Sequence, residues 1–171
     1  MSDLTETRRG ARLRFGRLIR ALVLVLAAAA AAGTAAAGPA RHSTEKKVVI
    51  STRKLPGLGT VLVNAHGLTL YMFVPDKRRR VTCVSTCAAV WPPVLLPKGA
   101  KTVATKGAKQ SLLGSDRDPA GGRVVTYHGW PLYTYIADRK PGAAAGQATN
   151  LNGGLWYVVA PSGNVIHKKA T

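Results

Sequence analysis

The sequence predicts a mainly β protein: a small antiparallel β-sheet domain built of two related hairpin units, with one short helix near Cys83–Trp91. Three observations predict it. HGLTLYMFVPD at residues 66–76 returns as HGWPLYTYIAD at residues 128–138, sharing His, Gly, Leu-Tyr, a second aromatic and a closing Asp. Short runs rich in Val, Leu, Thr and Tyr recur about every ten residues between Gly, Pro and Asn turn signals. One segment alone, CVSTCAAVW, suits a helix, and it is barely two turns long.

The chain starts with material of another kind. Residues 1–20 carry six Arg, and ALVLVLAAAAAAGTAAAG follows, apolar and small, ahead of Pro39. A basic stretch, an apolar stretch and a small-residue site make an export signal, expected over residues 1–37 with a cut after Ala35-Ala36-Ala37. The alternative is an uncleaved anchor, for which Ala21–Ala37 is near the lower limit of a span. Arg8-Arg9 fits a twin-arginine signal poorly, and no Cys near the cut could carry a lipid. Residues 38–56 read as a tether or edge segment, and residues 57–169 as the repeat domain.

Within that domain, Gly59–Asn64 reads as a strand, Ala65-His66-Gly67 as a turn and Leu68–Val74 as the return strand. Alternation puts Tyr71 and Phe73 on one face and Leu70, Met72 and Val74 on the other. Pro75 stops pairing and Asp76 opens the next turn. The helix follows, ended by Trp91-Pro92-Pro93. Val94–Leu96 is expected as a short strand, Lys98–Lys109 as a basic loop, and Leu112–Gly114 as the start of another strand. The second unit repeats the plan: strand Arg123–Tyr127, turn His128-Gly129, return strand Pro131–Ile136 with Tyr133 and Tyr135 on one face, then Asp138. A Gly/Ala-rich loop, the strand LWYVVA, a Pro-Ser-Gly-Asn turn and a last strand over Val165–His167 complete the chain.

YMFVPD and YTYIAD both fit Tyr-x-[Phe/Trp/Tyr]-x-x-Asp. With CVSTCAAVWPPV and GGLWYVVAPSG they make residues 57–168 resemble the bacterial "secreted repeat of unknown function" family, whose members are often described as predicted lipoproteins with that motif. The resemblance implies an exported repeat protein, often lipid-anchored, with no established activity. The missing lipid-attachment Cys departs from it and favours a soluble secreted or wall-associated form.

The candidate site residues are therefore the motif residues Tyr71, Phe73, Asp76, Tyr133, Tyr135 and Asp138. As a binding face they would stack on a ligand and accept its donors. As structure, the aromatics fill a core while each Asp caps turn amides or accepts from a Tyr hydroxyl, and the structural role is favoured. Cys83 and Cys87, the two cysteines, are expected to form a disulfide outside the cytoplasm, with Cys83 before the helix and Cys87 in its first turn. Of the tryptophans, Trp91 and Trp156 suit a core, and Trp130 beside His128 could meet a ligand.

Charge is the remaining signal. The whole chain is formally +18, and beyond the cut 19 Lys and Arg stand against Glu45, Asp76, Asp116, Asp118 and Asp138. Lys77, Arg78, Arg79 and Arg80 form one cluster, expected in an exposed loop as an anion-binding element. The reading is a non-enzymatic, monomeric, extracytoplasmic protein that binds anionic wall polymers or lipid head groups, with no cofactor and no nucleic acid. Its alternatives are a thiol-redox protein using Cys83 and Cys87, a hydrolase using Asp76 and Asp138, and a metal site using His66 and His128. No phosphate loop, serine elbow or zinc-ligand spacing supports a catalytic class.

Overall fold

The structure, a computed structural model, describes residues 45–77 and 79–169. The expected leader and Arg78 lie outside the described residues. Strand β1 (Lys47–Leu55) pairs antiparallel with β2 (Gly59–Asn64), from Leu55 opposite Gly59 to Ile50 opposite Asn64. After the turn at 65–67 the chain comes back beside β2, with Val63 bridged to Thr69. It then gives β3 (Tyr71–Phe73), and Pro75 tightens Val74–Asp76 into a 3-10 turn. Helix α1 (Thr86–Val90) follows, and β4 (Lys101–Ala104) runs parallel to β1.

The second unit repeats the first. Strands β5 (Leu113–Arg117) and β6 (Arg123–Tyr127) form a hairpin, and β7 (Trp130–Pro131) returns along β6. The two residues between them, His128 and Gly129, have φ of 51° and 82°. Positive φ at both central positions is the type I′ requirement, whose twist suits a two-residue hairpin. Strands β8 (Thr149–Leu151) and β9 (Gly154–Val158) close the chain, β9 lying between β3 and β8. The nine strands make three small sheets, β2-β1-β4, β3-β9-β8 and β5-β6-β7.

Mainly β architecture with one short helix and two related hairpins is thus what the chain forms. Several expectations change. The return strand expected over Pro131–Ile136 is regular only at Trp130–Pro131, with Tyr133 making isolated bridges beyond it, and Val74, expected to end the first return strand, opens the 3-10 turn and is exposed. Residues 47–55, inside the segment read as a tether or edge, form the middle strand of the first sheet. Their apolar positions Val48, Ile50 and Leu55 are spaced among Lys and Arg, so the charges hide the strand signal. Residues 101–104, read as basic loop, supply the one parallel pair among the described residues, with Val49 opposite Val103.

The strand alternation is realised as two cores. Tyr71 and Phe73 join Val61, Val63, Cys83, Cys87, Trp91, Tyr133, Trp156 and Val158 on one side. Leu70 and Met72 join Ile50, Leu62, Val125, Tyr127, Leu132 and Val159 on the other. Neighbouring residues of one short strand therefore anchor different clusters, as period-two geometry requires.

Candidate functional site

The two motif copies meet at their tyrosines. Tyr71 and Tyr133 pair backbone to backbone, the Tyr71 amide donating to the Tyr133 carbonyl at 2.9 Å and the Tyr133 amide to the Tyr71 carbonyl at 3.0 Å. Around this pair the side chains cross over. The Tyr71 hydroxyl donates to Asp138 Oδ2 at 2.5 Å, and the Tyr133 hydroxyl to Asp76 Oδ2 at 2.6 Å. Each copy's tyrosine is satisfied by the other copy's aspartate.

The second carboxylate oxygens do a different job. Asp76 Oδ1 accepts from the amide and the hydroxyl of Thr82, both at 2.7 Å. Asp138 Oδ1 accepts from the Ala145 amide at 2.9 Å. Each aspartate thus ties together the two ends of the loop that follows it. Both loops begin with cations: Lys77 to Arg80 after Asp76, and Arg139-Lys140 after Asp138. Asp76 is fully buried and Asp138 nearly so. Desolvation drives the Asp76 carboxyl above its ordinary range, opposed by its hydrogen bonds. The same burial, joined by the facing carboxylates, pushes the hydroxyls of Tyr71 and Tyr133 far above their ordinary value.

The second motif aromatics pack in one aromatic column. Tyr135, Trp91, Trp156 and Phe73 lie face to face, with successive centroids 4.1, 3.9 and 4.2 Å apart. The edges of Tyr71 and Tyr133 meet this column. Such pairs contribute roughly 0.5–1.5 kcal/mol each beyond their buried area. Trp130, read as a possible ligand contact, packs half-buried against the second core. The helix carries Cys87 in its first turn and Cys83 just before it, joined as a disulfide with Cα atoms 5.2 Å apart. Both cysteines lie in the aromatic core.

Of the motif residues, Tyr71, Phe73, Tyr133, Asp76 and Asp138 are buried and packed or hydrogen-bonded within the fold, and Tyr135 is half-buried against Trp91. A water-activating carboxylate pair needs access that Asp76 and Asp138 lack. His66 and His128 occupy equivalent turns but lie in different clefts. His128 is packed beneath Gly163, its Nδ1 3.4 Å from the Gly163 carbonyl oxygen, and His66 is exposed. Among the described residues no three His, Cys, Asp or Glu side chains converge as a metal site would require. His128 itself has positive φ (51°), whereas in the first turn Gly67 takes it (76°).

Comparison with known families matches residues 52–95 and 115–160 to a family described as secreted repeat of unknown function. The chain belongs to this family. The two matched segments contain the two motif copies, so each secreted repeat here is a hairpin followed by its Tyr-x-aromatic-x-x-Asp segment. No curated protein and no solved structure matches the chain. No helix among the described residues is long and apolar enough to cross a membrane.

Several residues essential to this arrangement were not legible as motifs. Thr82 is one. Gly146 is another: a Cβ there would stand 2.6 Å from Trp91 Cη2 and 3.0 Å from Tyr71 Cε1. Gln147 is the third. Its Nε2 donates to the carbonyls of Ile166 and Lys168 at 2.6 and 2.5 Å, and its Oε1 accepts from the Val158 amide at 2.8 Å. A Gly-Gln step in a Gly/Ala-rich loop was the only signal available.

The structure also explains where the charge goes. Asp76, Asp138 and Asp118 are buried, and Asp118 accepts from the Ala120 amide at 2.9 Å. Asp116 is half-buried and accepts from the Arg117 amide at 2.8 Å. Glu45 alone pairs with a cation, Lys101 at 2.7 Å, the one ion pair among the described residues. The acids are spent on the interior, and the surface keeps its cations. Lys77, Arg79 and Arg80 are exposed, and the Arg79 amide donates to the Gly129 carbonyl at 2.8 Å, docking the first basic loop on the second hairpin turn.

Proposed function

We propose that this secreted-repeat protein works outside the cytoplasm as a non-catalytic binding module for polyanions, such as anionic wall polymers or lipid head groups. One observation carries the reading: four of the five acids beyond the leader serve buried or backbone-capping roles, so among the described residues the exposed cations other than Lys101 have no acidic partner. Two basic loops, starting at Lys77 and at Arg139, are held at both ends by the motif aspartates. Held loops lose less entropy when they bind than free ones would. The motif then builds the platform, and the loops contact the partner.

The buried disulfide supports a staple rather than a thiol-exchange centre, since exchange requires a thiolate to reach a sulfur. The partnered, buried carboxylates likewise weigh against hydrolysis.

The test is binding of a poly(glycerol phosphate) polymer and of phosphatidylglycerol vesicles across a salt series. Exposed charges are screened over about 8 Å at physiological ionic strength. Affinity for a polyanion is expected to fall at least about tenfold from 50 to 500 mM salt, in the manner of counterion release. The triple variant K77N/R79N/R80Q weakens it further, Asn being chosen because Lys77 and Arg79 have φ of 53° and 63°. Equal binding at low and high salt, or no loss in the variant, contradicts the reading.

A further inference from the structure

The repetition extends beyond the motif to a pair of clefts. Each lies where a His-Gly turn meets the strand that opens its own hairpin. One, of about 490 Å³, is lined by His128 and Gly129, residues 113–116 of β5, and Arg79 from the first basic loop. The other, of about 670 Å³, is lined by His66 and Gly67, by Val49, Ser51, Thr52 and Arg53 of β1, and by Lys106. Their walls are related by the repeat, but their electrostatics differ.

Asp116 and Arg79 both line the first cleft, and one carboxylate oxygen of Asp116 is buried without a hydrogen-bond partner. His128 is packed beneath the turn at Gly163. The second cleft has no carboxylate in its wall. It has Arg53 and Lys106, His66 at the rim, and the hydroxyls of Ser51, Thr52 and Thr105. Among the described residues neither Arg53 nor Lys106 is paired with an acid.

Arg53 and Lys106 are exposed side chains carried on tied backbone. Gly67, at φ +76°, leaves room for Arg53: a Cβ there would stand 3.1 Å from Arg53 Nη2 and 3.2 Å from Pro141 Cβ. The guanidinium therefore lies across the turn, next to the second basic loop. The turn bearing Lys106 is tied to β1 twice. Thr105 donates its amide to the Ile50 carbonyl at 2.9 Å, and the Thr52 hydroxyl donates to the Lys106 carbonyl.

We propose that the cleft bounded by Arg53, His66 and Lys106 is a specific site for a phosphate group, monoester or diester. A planar guanidinium offers two parallel N–H donors to a phosphate, an ammonium adds a point charge, and the Ser51 and Thr105 hydroxyls supply neutral donors. The equivalent cleft at His128 does not take one, because Asp116 opposes an anion there. The proposal deepens the polyanion reading and rests on it, locating one phosphate subsite on a surface that is otherwise diffusely basic.

The test is a titration of the purified protein with inorganic phosphate, then glycerol phosphate, followed by amide NMR shifts. The site reading expects shifts at Ser51, Thr52, Arg53, His66, Thr105 and Lys106, and none at Asp116 or His128. Arg53→Gln and Lys106→Asn each weaken binding about tenfold, the loss of one charge-assisted contact. Lys54→Gln removes the same charge from the next residue of β1 and changes it less than twofold. Lys106→Asn suits the left-handed backbone there (φ 48°) and guards against a folding defect in the Arg53 variant.

Shifts scattered over all basic segments, or an Arg53→Gln effect no larger than that of Lys54→Gln, overturn the site. Polyanion binding that persists in those variants leaves the proposed function standing without it. A response to phosphatidylglycerol vesicles with none to inorganic phosphate overturns the site too, in favour of a membrane surface. Silence toward phosphate and polyanions alike at low salt overturns both.

Discussion

Replacing Tyr133 by Phe removes one oxygen and should reveal whether the repeats hold each other. The lost hydroxyl donates to Asp76 Oδ2 at 2.6 Å, in a site where both residues are fully buried. A hydrogen bond to a charged group contributes about 1.5–3 kcal/mol, and the abandoned carboxylate oxygen has no water to turn to. A loss of about 2–3 kcal/mol is expected. For a domain of about 125 residues, unfolding entropy near 2.1 cal/mol/K per residue converts this to a fall of roughly 8–11 °C in Tm. Chemical unfolding followed by tryptophan fluorescence reads it directly. The sharper form is a double-mutant cycle. Tyr133→Phe with Asp76→Ala, and Tyr71→Phe with Asp138→Ala, should each show coupling of at least about 1 kcal/mol. Tyr71→Phe with Asp76→Ala, two changes within one copy, should be additive to within about 0.5 kcal/mol. Coupling within copies and additivity across them would refute the crossed arrangement.

Further predictions follow from the same geometry. Unfolded tyrosine ionises near pH 10, while burial and the facing carboxylates hold Tyr71 and Tyr133 well above that. The folded protein then keeps protons that the unfolded chain has released, so stability is intact below pH 10 and falls above it. The slope is about 1.4 kcal/mol per pH unit for each tyrosine, and both hydroxyls should ionise together with unfolding in an absorbance titration. The Cys83–Cys87 bridge closes a very short loop, and its removal by Cys83→Ser/Cys87→Ser should cost about 2 kcal/mol on chain-entropy grounds. With both cysteines buried, reductant should open it in denaturant and leave it closed in the native protein; fast native reduction would revive the redox alternative. Gly146→Ala pushes a methyl group into Trp91 and should cost about 1–3 kcal/mol, with a shift in tryptophan emission.

Much of this architecture was legible because the repeat carries its own alignment. The matched Leu-Tyr-x-aromatic pattern located the first return strand at its centre, Tyr71–Phe73, and assigned Tyr71 and Leu70 to opposite faces, which depends only on period two; in the second copy the regular strand is Trp130–Pro131, and Tyr133 makes isolated bridges instead. Local chemistry also placed the disulfide, since residues four apart on a regular helix sit near the upper limit for a bridge. What stayed hidden depends on partners distant in sequence. Asp76 was expected to cap turn amides or to accept from a Tyr hydroxyl, and it does both, but which tyrosine was not legible, because the bond to Tyr133 exists only once both copies have folded together. Residues 47–55 were obscured because the strand is flanked and interrupted by Lys and Arg, whose side chains reach solvent from the sheet. Parallel pairing with residues 101–104 leaves no turn signal, as the strands are joined by the whole intervening chain. The clefts were invisible for the same reason: Arg53, His66 and Lys106 come from three separate segments.

Native-state hydrogen exchange at the amides of Tyr71 and Tyr133 probes the union of the repeats most directly, because these two groups bond to each other's residue at the centre of the molecule. If the copies stand or fall as one body, both amides exchange through complete unfolding alone, with a single shared free energy and a single denaturant slope. If one of them opens at a markedly lower free energy while the other remains protected, the repeats are separable units and the account fails.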